Sequence, residues 1–183
     1  DLVETQQNAR LAMQTITSDL RQISYGKDAT QPSVVFADID SIVFVADLFD
    51  SISGAEVVSI HLTPTLDSGT VNPSDRIIAR TVWDTSGAVV LTGPVAYGVA
   101  DSGLTFQYFD RDGAPMSFPI VQPEHISEVE VAVTSQTAHS QDQVGYRDVT
   151  MTSIVYPRNL PFTPPMPRPN PPGCGNLTSP NCE

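Results

Sequence analysis

The sequence predicts an α+β fold, in which one N-terminal amphipathic helix is laid across an antiparallel β-sheet. Apolar residues recur at steps of three and four over the first 25 residues, which indicates a helix with one apolar stripe. After Gly26 the apolar period changes to about two, in short segments rich in β-branched and aromatic residues. No helical pattern is interleaved between these segments, which favours a helix segregated to one side of an antiparallel sheet.

The apolar stripe of the predicted helix includes Ile16, Leu20 and Ile23, and we expect the sheet to cover these three side chains. The other faces carry mainly Gln and Asn, which form few charge pairs and leave the helix dependent on packing. Leu2 and Val3 lie at the upper end of the helix. We expect them to be exposed in an isolated monomer and buried by neighbouring helices, which makes them a candidate subunit interface.

Eight segments follow the helix with the composition of strands, separated by clusters of Gly, Pro, Asp, Asn and Ser. The clearest alternation places Val129, Val131 and Val133 on one face and polar residues mainly on the other, as expected when one face of a sheet is buried. The predicted strands are 33–36, 41–46, 56–62, 76–83, 88–91, 104–109, 126–134 and 148–156.

The charge of the chain disfavours some classes of partner. Its formal net charge is −12, and Lys27 is the only lysine. Phosphate backbones and anionic lipid surfaces would repel such a chain, so we expect no nucleic-acid binding. No apolar run approaches the length of about 18 residues that a membrane-spanning helix requires.

Composition divides the chain into a helical segment (1–25), a β-rich head (26–156) and a tail (157–183) whose prolines oppose helix and central strand alike. The tail contains both cysteines, Cys174 and Cys182. Two nearby thiols in a Pro/Gly/Asn-rich segment oxidise readily outside the cytoplasm, so we expect a disulfide between them.

One short motif invites a metal-binding interpretation. Asp110, Asp112 and Gly113 follow a predicted strand and resemble the start of a calcium loop. The further ligands and the distant bidentate Glu of such a loop are missing, whereas Asp-Gly between strands is a strong hairpin signal. We expect a turn here, with a Ca2+ site formed by Asp110 and Asp112 as the alternative, and we expect no other cofactor.

Motifs of known catalytic machinery are missing from the sequence. His61, His125 and His139 are far apart and have no metal-ligand spacing. No serine stands in a Gly-x-Ser-x-Gly elbow, and no Gly-rich phosphate loop is present. We therefore expect that the protein is not an enzyme.

The segment from Glu4 to Ile23, ETQQNARLAMQTITSDLRQI, resembles the helical stem of minor type IV pilins and type II secretion pseudopilins, most closely those of the PilW and GspJ type. The stem is the specific part of this resemblance. Weaker similarities follow in order along residues 41–44, 92–99, 104–113 and 155–160, so the resemblance covers most of residues 1–160. It implies a pilin-like fold in which residues 1–25 are the second half of the stem helix.

The resemblance also implies a function. Members of this superfamily are filament subunits that are anchored in the inner membrane by an apolar half-helix before assembly, and that half-helix would precede residue 1. We expect a minor pilin at the tip or initiation complex of a type IV pilus, with other minor pilins and the major pilin as partners. A pseudopilin of a type II secretion system is one alternative. A surface adhesin or ligand-binding module is an alternative of another class.

Overall fold

A computed structural model of the protein describes residues 2–49, 54–66, 71–140 and 145–160. Within these ranges the chain forms one α-helix, seven strands and a short 3-10 helix at Pro123–His125. The helix, α1, spans Leu2–Arg21, and the strands are β1 Val34–Ala37, β2 Ser41–Ala46, β3 Glu56–Leu66, β4 Arg76–Trp83, β5 Val89–Phe109, β6 Glu128–Gln136 and β7 Asp148–Val155.

The predicted fold class, a pilin-like α+β fold with a long helix packed on a sheet, is wrong. The protein is mostly strand, at 46%, with only 16% helix. Its seven strands form one antiparallel sheet that curls into a half-barrel, beside a single short N-terminal helix. Strand side chains such as Phe44 and Tyr108 are fully buried in the same core as the apolar residues of the helix.

The strands follow one another in sequence order across the sheet, each pairing antiparallel with the next. Most of the predicted strands are confirmed to within a few residues, since local alternation of apolar residues marks them. The prediction for β5 is wrong, because one strand of 21 residues replaces the two predicted over 88–91 and 104–109. Its first half, up to Val99, pairs with β4, whereas Leu104–Phe109 pairs with β6.

The curl is held by contacts between the β1–β2 turn and the second half of β5. The Phe106 N–H donates to the Ile39 carbonyl oxygen at 2.7 Å. The buried Tyr108 hydroxyl donates to the carbonyl oxygens of Asp38 and Ser41, at 3.1 and 3.2 Å. These bonds occupy the side of β5 that β4 leaves unpaired, so the sheet bends around this point.

The helix ends earlier than the 25-residue pattern predicts. After Arg21 the chain turns away, and Ser24, in the left-handed region at φ 70°, donates its N–H to the Val45 carbonyl oxygen at 2.8 Å. Gly26 also has a positive φ of 64°, and a Cβ there would lie 2.5 Å from Cβ of Asp47. The backbone thus bonds to the end of β2 at Ser24, and the helix does not continue beyond this point.

The helix packs against β5, β6 and β7. Ala9, Ala12, Ile16 and Leu20 are fully buried there. Among the residues described, no helix is both long and apolar enough to cross a membrane. One flank of α1 faces the first half of β5 across a groove.

Candidate interaction surface

The surface with the most distinctive geometry is this helix-flank groove, which lies along α1 opposite β4 and β5 in one part and opposite residues 47–49, after β2, in the other. It has an apolar compartment of about 340 Å3 and a polar compartment of about 570 Å3, and Arg80 lines both. The apolar compartment is lined by Leu11, Thr15, Arg80, Leu91, Gly93, Pro94 and Val95, and the polar one by Ser18, Asp19, Gln22, Tyr25, Asp47, Leu48, Phe49 and Arg80.

The helical period explains how α1 forms one wall of the groove. Leu11, Thr15 and Ser18 are spaced by four and three residues, so they follow one another along a single flank of the helix, and Gln22 follows just past its end. Leu11 is 61% exposed, although the residues that follow it on the chain, Ala12 and Met13, belong to the core. Leu11 therefore faces the groove, whereas the two residues that follow it face the core.

An ion pair lies between the two compartments. Arg80 Nε on β4 is 2.7 Å from Asp19 Oδ2 on α1, and Arg80 Nη2 donates to Asp19 Oδ1 at 3.3 Å. The Nε contact is close but poorly aligned as a hydrogen bond, so its contribution is mainly coulombic. Burial raises the pKa of the Asp19 carboxyl above its ordinary value, and the Arg80 guanidinium offsets part of this rise. The pair leaves the middle of the groove without net charge.

The residues predicted for the helix and its upper end have different environments. Ile16, Leu20 and Ile23 are fully buried in the core. Leu2 remains 37% exposed and Val3 65% exposed. The apolar surface of α1 thus continues beyond the part that the sheet covers.

The Asp110–Gly113 segment forms a tight turn. Asp110 Oδ1 accepts the backbone N–H groups of Asp112 and Ala114, each at 2.9 Å. The Gly113 N–H donates to the Asp110 carbonyl oxygen, and Gly113 has a φ of 76°. One oxygen of Asp110 is thus engaged in the turn itself. Within the described ranges no three His, Cys, Asp or Glu side chains gather as a metal site.

The histidines are placed in separate parts of the fold. His61 lies in β3, where its Nδ1 is 3.3 Å from Ser59 Oγ, and His125 ends the 3-10 helix. His139 follows β6, and its backbone carbonyl oxygen accepts the Thr137 hydroxyl at 3.0 Å. The structure therefore does not bring these three residues together. The predicted pair Cys174 and Cys182 lies outside the described residues.

The sequence analysis missed Asp19, Arg80 and Leu11, although two of them carry a readable signal. Arg80 shares its strand face with Ile78 and Val82, which are fully buried. An arginine between two core residues on a strand requires a carboxylate partner. Asp19 directly precedes the core residue Leu20 on the helix and could supply it. No pattern in the sequence indicates that Leu11 faces a groove.

No family model matches the chain. No curated protein matches it significantly either.

Proposed function

We propose that this protein is a non-enzymatic minor pilin, a subunit that acts by assembling with other minor pilins and the major pilin at the tip or initiation complex of a type IV pilus. The resemblance of residues 4–23 to pilin stems supports this proposal. Under it, the subunit is extracytoplasmic and is held in the inner membrane before assembly by an apolar helix preceding residue 1.

The observation that carries the proposal is the uncovered apolar surface of α1. Leu2 precedes Leu20 by about five helical turns and therefore lies on the same face of the helix. Leu20 is fully buried by the head, whereas Leu2 is 37% exposed. Val3, beside Leu2, is 65% exposed. An apolar stripe that extends past the surface covering it is suited to packing against helices of neighbouring subunits.

The helix-flank groove adds a second contact surface on the same helix. Leu11 provides an exposed apolar side chain, and Leu91 and Pro94 form the opposite wall. Because the Asp19–Arg80 pair neutralises the centre of the groove, a partner does not need to bring a compensating charge there. Apolar centres with polar surroundings are the usual anatomy of protein interfaces.

A pseudopilin of a type II secretion system would use the same surfaces, and the gene's neighbours would distinguish the two systems. The experiment that tests assembly is deletion of the gene followed by complementation. We expect the deletion to reduce surface filaments or the secretion that they drive. Complementation with the Val3→Glu/Leu11→Glu double variant should fail, because each substitution puts a charge in a subunit contact.

The matched control is Val121→Glu, since Val121 is 86% exposed and lies in the β5–β6 connection, away from α1. It should complement as well as the wild type, while both variants should reach wild-type levels in the cell. Normal filaments and secretion in the deletion strain would contradict the proposal. In that case a role as an adhesin or ligand-binding module would be the function to test next.

A further inference from the structure

A second cleft, of about 530 Å3, lies at the end of the sheet where β5 ends, β6 begins and β7 ends. Its walls come from the turn at 110–113, from residues 126–128 and from the chain that follows β7, including Tyr156 and Leu160. It shares no lining residue with the helix-flank groove. We call it the strand-end cleft.

Hydrogen bonds join the three walls of the strand-end cleft. The Ser127 hydroxyl donates to the Asp110 carbonyl oxygen at 2.6 Å, and the Ser127 N–H donates to the Phe109 carbonyl oxygen at 2.9 Å. The Tyr156 hydroxyl donates a hydrogen bond to the Glu128 carboxylate. The cleft is therefore preformed, which lowers the entropic cost of filling it.

The lining of this cleft suits a proline-rich segment. Tyr156 is 63% exposed, whereas Ile126 and Pro157, which also line the cleft, are buried. Grooves with exposed aromatic side chains bind segments in the polyproline II conformation, because such a segment is already extended and loses little entropy on binding.

The chain itself supplies such a segment at this position. Leu160 lines the cleft, and the residues that follow it are PFTPPMP, at 161–167, which lie outside the described residues. Pro161, Pro164 and Pro167 are spaced by three, and a polyproline II helix has three residues per turn, so in that conformation these prolines share one face. The segment would extend over about 19 Å, at about 3.1 Å per residue.

Charge and covalent attachment favour this segment over other occupants. The strand-end cleft contains the carboxylates of Asp110, Asp112 and Glu128 against the single cation Arg111. Between positions 161 and 182 the only charged residue is Arg168, so this part of an otherwise acidic chain brings no negative charge to the cleft. Attachment at Leu160 also gives the segment a millimolar effective concentration, on the order of that expected for a short linker.

We propose that residues 161–167 bind in the strand-end cleft of their own chain as a polyproline II segment, with the face of Pro161, Pro164 and Pro167 against Tyr156. The first part of the proline-rich tail is then a structural part of the head. This inference stands apart from the proposed function, because it uses neither α1 nor the helix-flank groove.

Backbone order parameters from 15N NMR relaxation of the full chain test the binding. We expect the Met166 N–H to have an order parameter above about 0.8, as in rigid backbone, and to fall below about 0.6 in Tyr156→Ser. Tyr97→Ser is the matched control, since Tyr97 on β5 is also half exposed, at 50%, and it should leave Met166 rigid. A mobile Met166 in the wild type, or equal effects of the two variants, would overturn the proposal.

A second pair of variants tests the proline face from the side of the head. Replacing Pro161, Pro164 and Pro167 together by alanine should shift the amide signals of Gly113 and Glu128, which line the cleft. Replacing Pro169, Pro171 and Pro172 together removes as many prolines further along and should leave those signals in place. Unchanged cleft signals in the first variant, or equal shifts in both, would contradict binding through this face.

Dilution identifies whose segment fills the cleft. Binding within one chain does not depend on protein concentration, so the order parameter of Met166 should be the same at two concentrations tenfold apart. Rigidity that is lost on dilution would mean that the segment comes from a second copy, and would overturn binding within the same chain.

Discussion

Arg80 on β4 holds Asp19 on α1 in an ion pair, with Nε 2.7 Å from Oδ2, at an inward position of the sheet. The neighbours of Arg80 on that strand face, Ile78 and Val82, are fully buried. The pair retains limited contact with water, since the two side chains are 17% and 11% exposed. It connects the helix to a strand outside the three that contact α1 most, and separates the two compartments of the groove.

Removing Arg80 should destabilise the protein because Asp19 would remain buried without its partner. We expect Arg80→Met to lower the free energy of unfolding by about 3 kcal/mol, in the low range for buried pairs because some water reaches both side chains. Urea unfolding at neutral pH measures this. Asp101→Asn is the control, since it removes the partner of Arg76 in an ion pair whose carboxylate is 66% exposed, and it should cost less than about 1 kcal/mol.

The pH dependence of the same variant follows from the raised pKa of Asp19. A carboxyl with a raised pKa in the folded state binds its proton more tightly there than in the unfolded chain. Its contribution to stability therefore declines as the pH rises from the unfolded-state pKa to the folded-state pKa. Without Arg80, the pKa of Asp19 should rise further. The destabilisation by Arg80→Met should therefore shrink between about pH 7 and about pH 5, and a constant or growing gap would contradict this account.

The stability of the β4–β5 turn should depend on pH in the opposite sense. Hydrogen bonds from the Ser86 hydroxyl, and then from the backbone N–H groups of Ala88 and Ser86, hold the pKa of Asp84 below its ordinary value of 3.8. The turn is thus stabilised above that value and loses this contribution as pH falls through the lower, folded-state pKa. An NMR titration of the Asp84 carboxyl should show the lowered pKa in the wild type and a pKa closer to the ordinary value in Ser86→Ala, which keeps the backbone donors.

Tyr108 should contribute to the curl of the sheet through its hydroxyl. Tyr108→Phe leaves the carbonyl oxygens of Asp38 and Ser41 without this donor, at a site that little water reaches. We expect a loss of about 1 to 2 kcal/mol in the free energy of unfolding. Tyr25→Phe, at a residue that is 53% exposed, should have almost no effect. Equal melting temperatures for the two variants would show that these bonds do not support the curl.

Gly103 marks the bend between the two halves of β5. A Cβ at this position would lie 2.4 Å from the Thr134 carbonyl oxygen, a backbone atom that cannot move freely. Gly103→Ala should therefore cost about 1 to 3 kcal/mol. Gly93→Ala is the control on the same strand, because a Cβ there meets nothing within 4 Å. Chemical denaturation of both variants would reveal the difference, and equal stabilities would contradict the crowding at Gly103.

The strands could be located from the sequence because their signal is local. The alternation of Val129, Val131 and Val133 specifies which face of β6 is buried, whatever the rest of the chain does. The course of β5 could not be predicted in this way. Gly93 and Pro94 suggest a break, but a proline is compatible with a strand wherever one side is unpaired, and that depends on where β6 begins.

The wrong fold class has a related cause. The helical pattern of the first 25 residues is strong, so it predicts a long helix packed on the sheet. The bonds of Tyr108 and Phe106 to the β1–β2 turn, which curl the sheet onto itself, join residues more than 60 positions apart. No local pattern reports such a contact. The exposure of Leu11 was unpredictable for the same reason, since it depends on where β5 lies relative to the helix.

The central claim, assembly through the exposed surface of α1, is tested most directly by photo-crosslinking in the native host. A photoreactive amino acid would replace Leu11 in one strain and Val121, the 86% exposed control, in another. The account predicts that crosslinks from position 11 capture a pilin-like subunit, identified by mass spectrometry, and that position 121 captures none. Absence of any pilin-like subunit among the products from position 11, or equal capture from both positions, would contradict it.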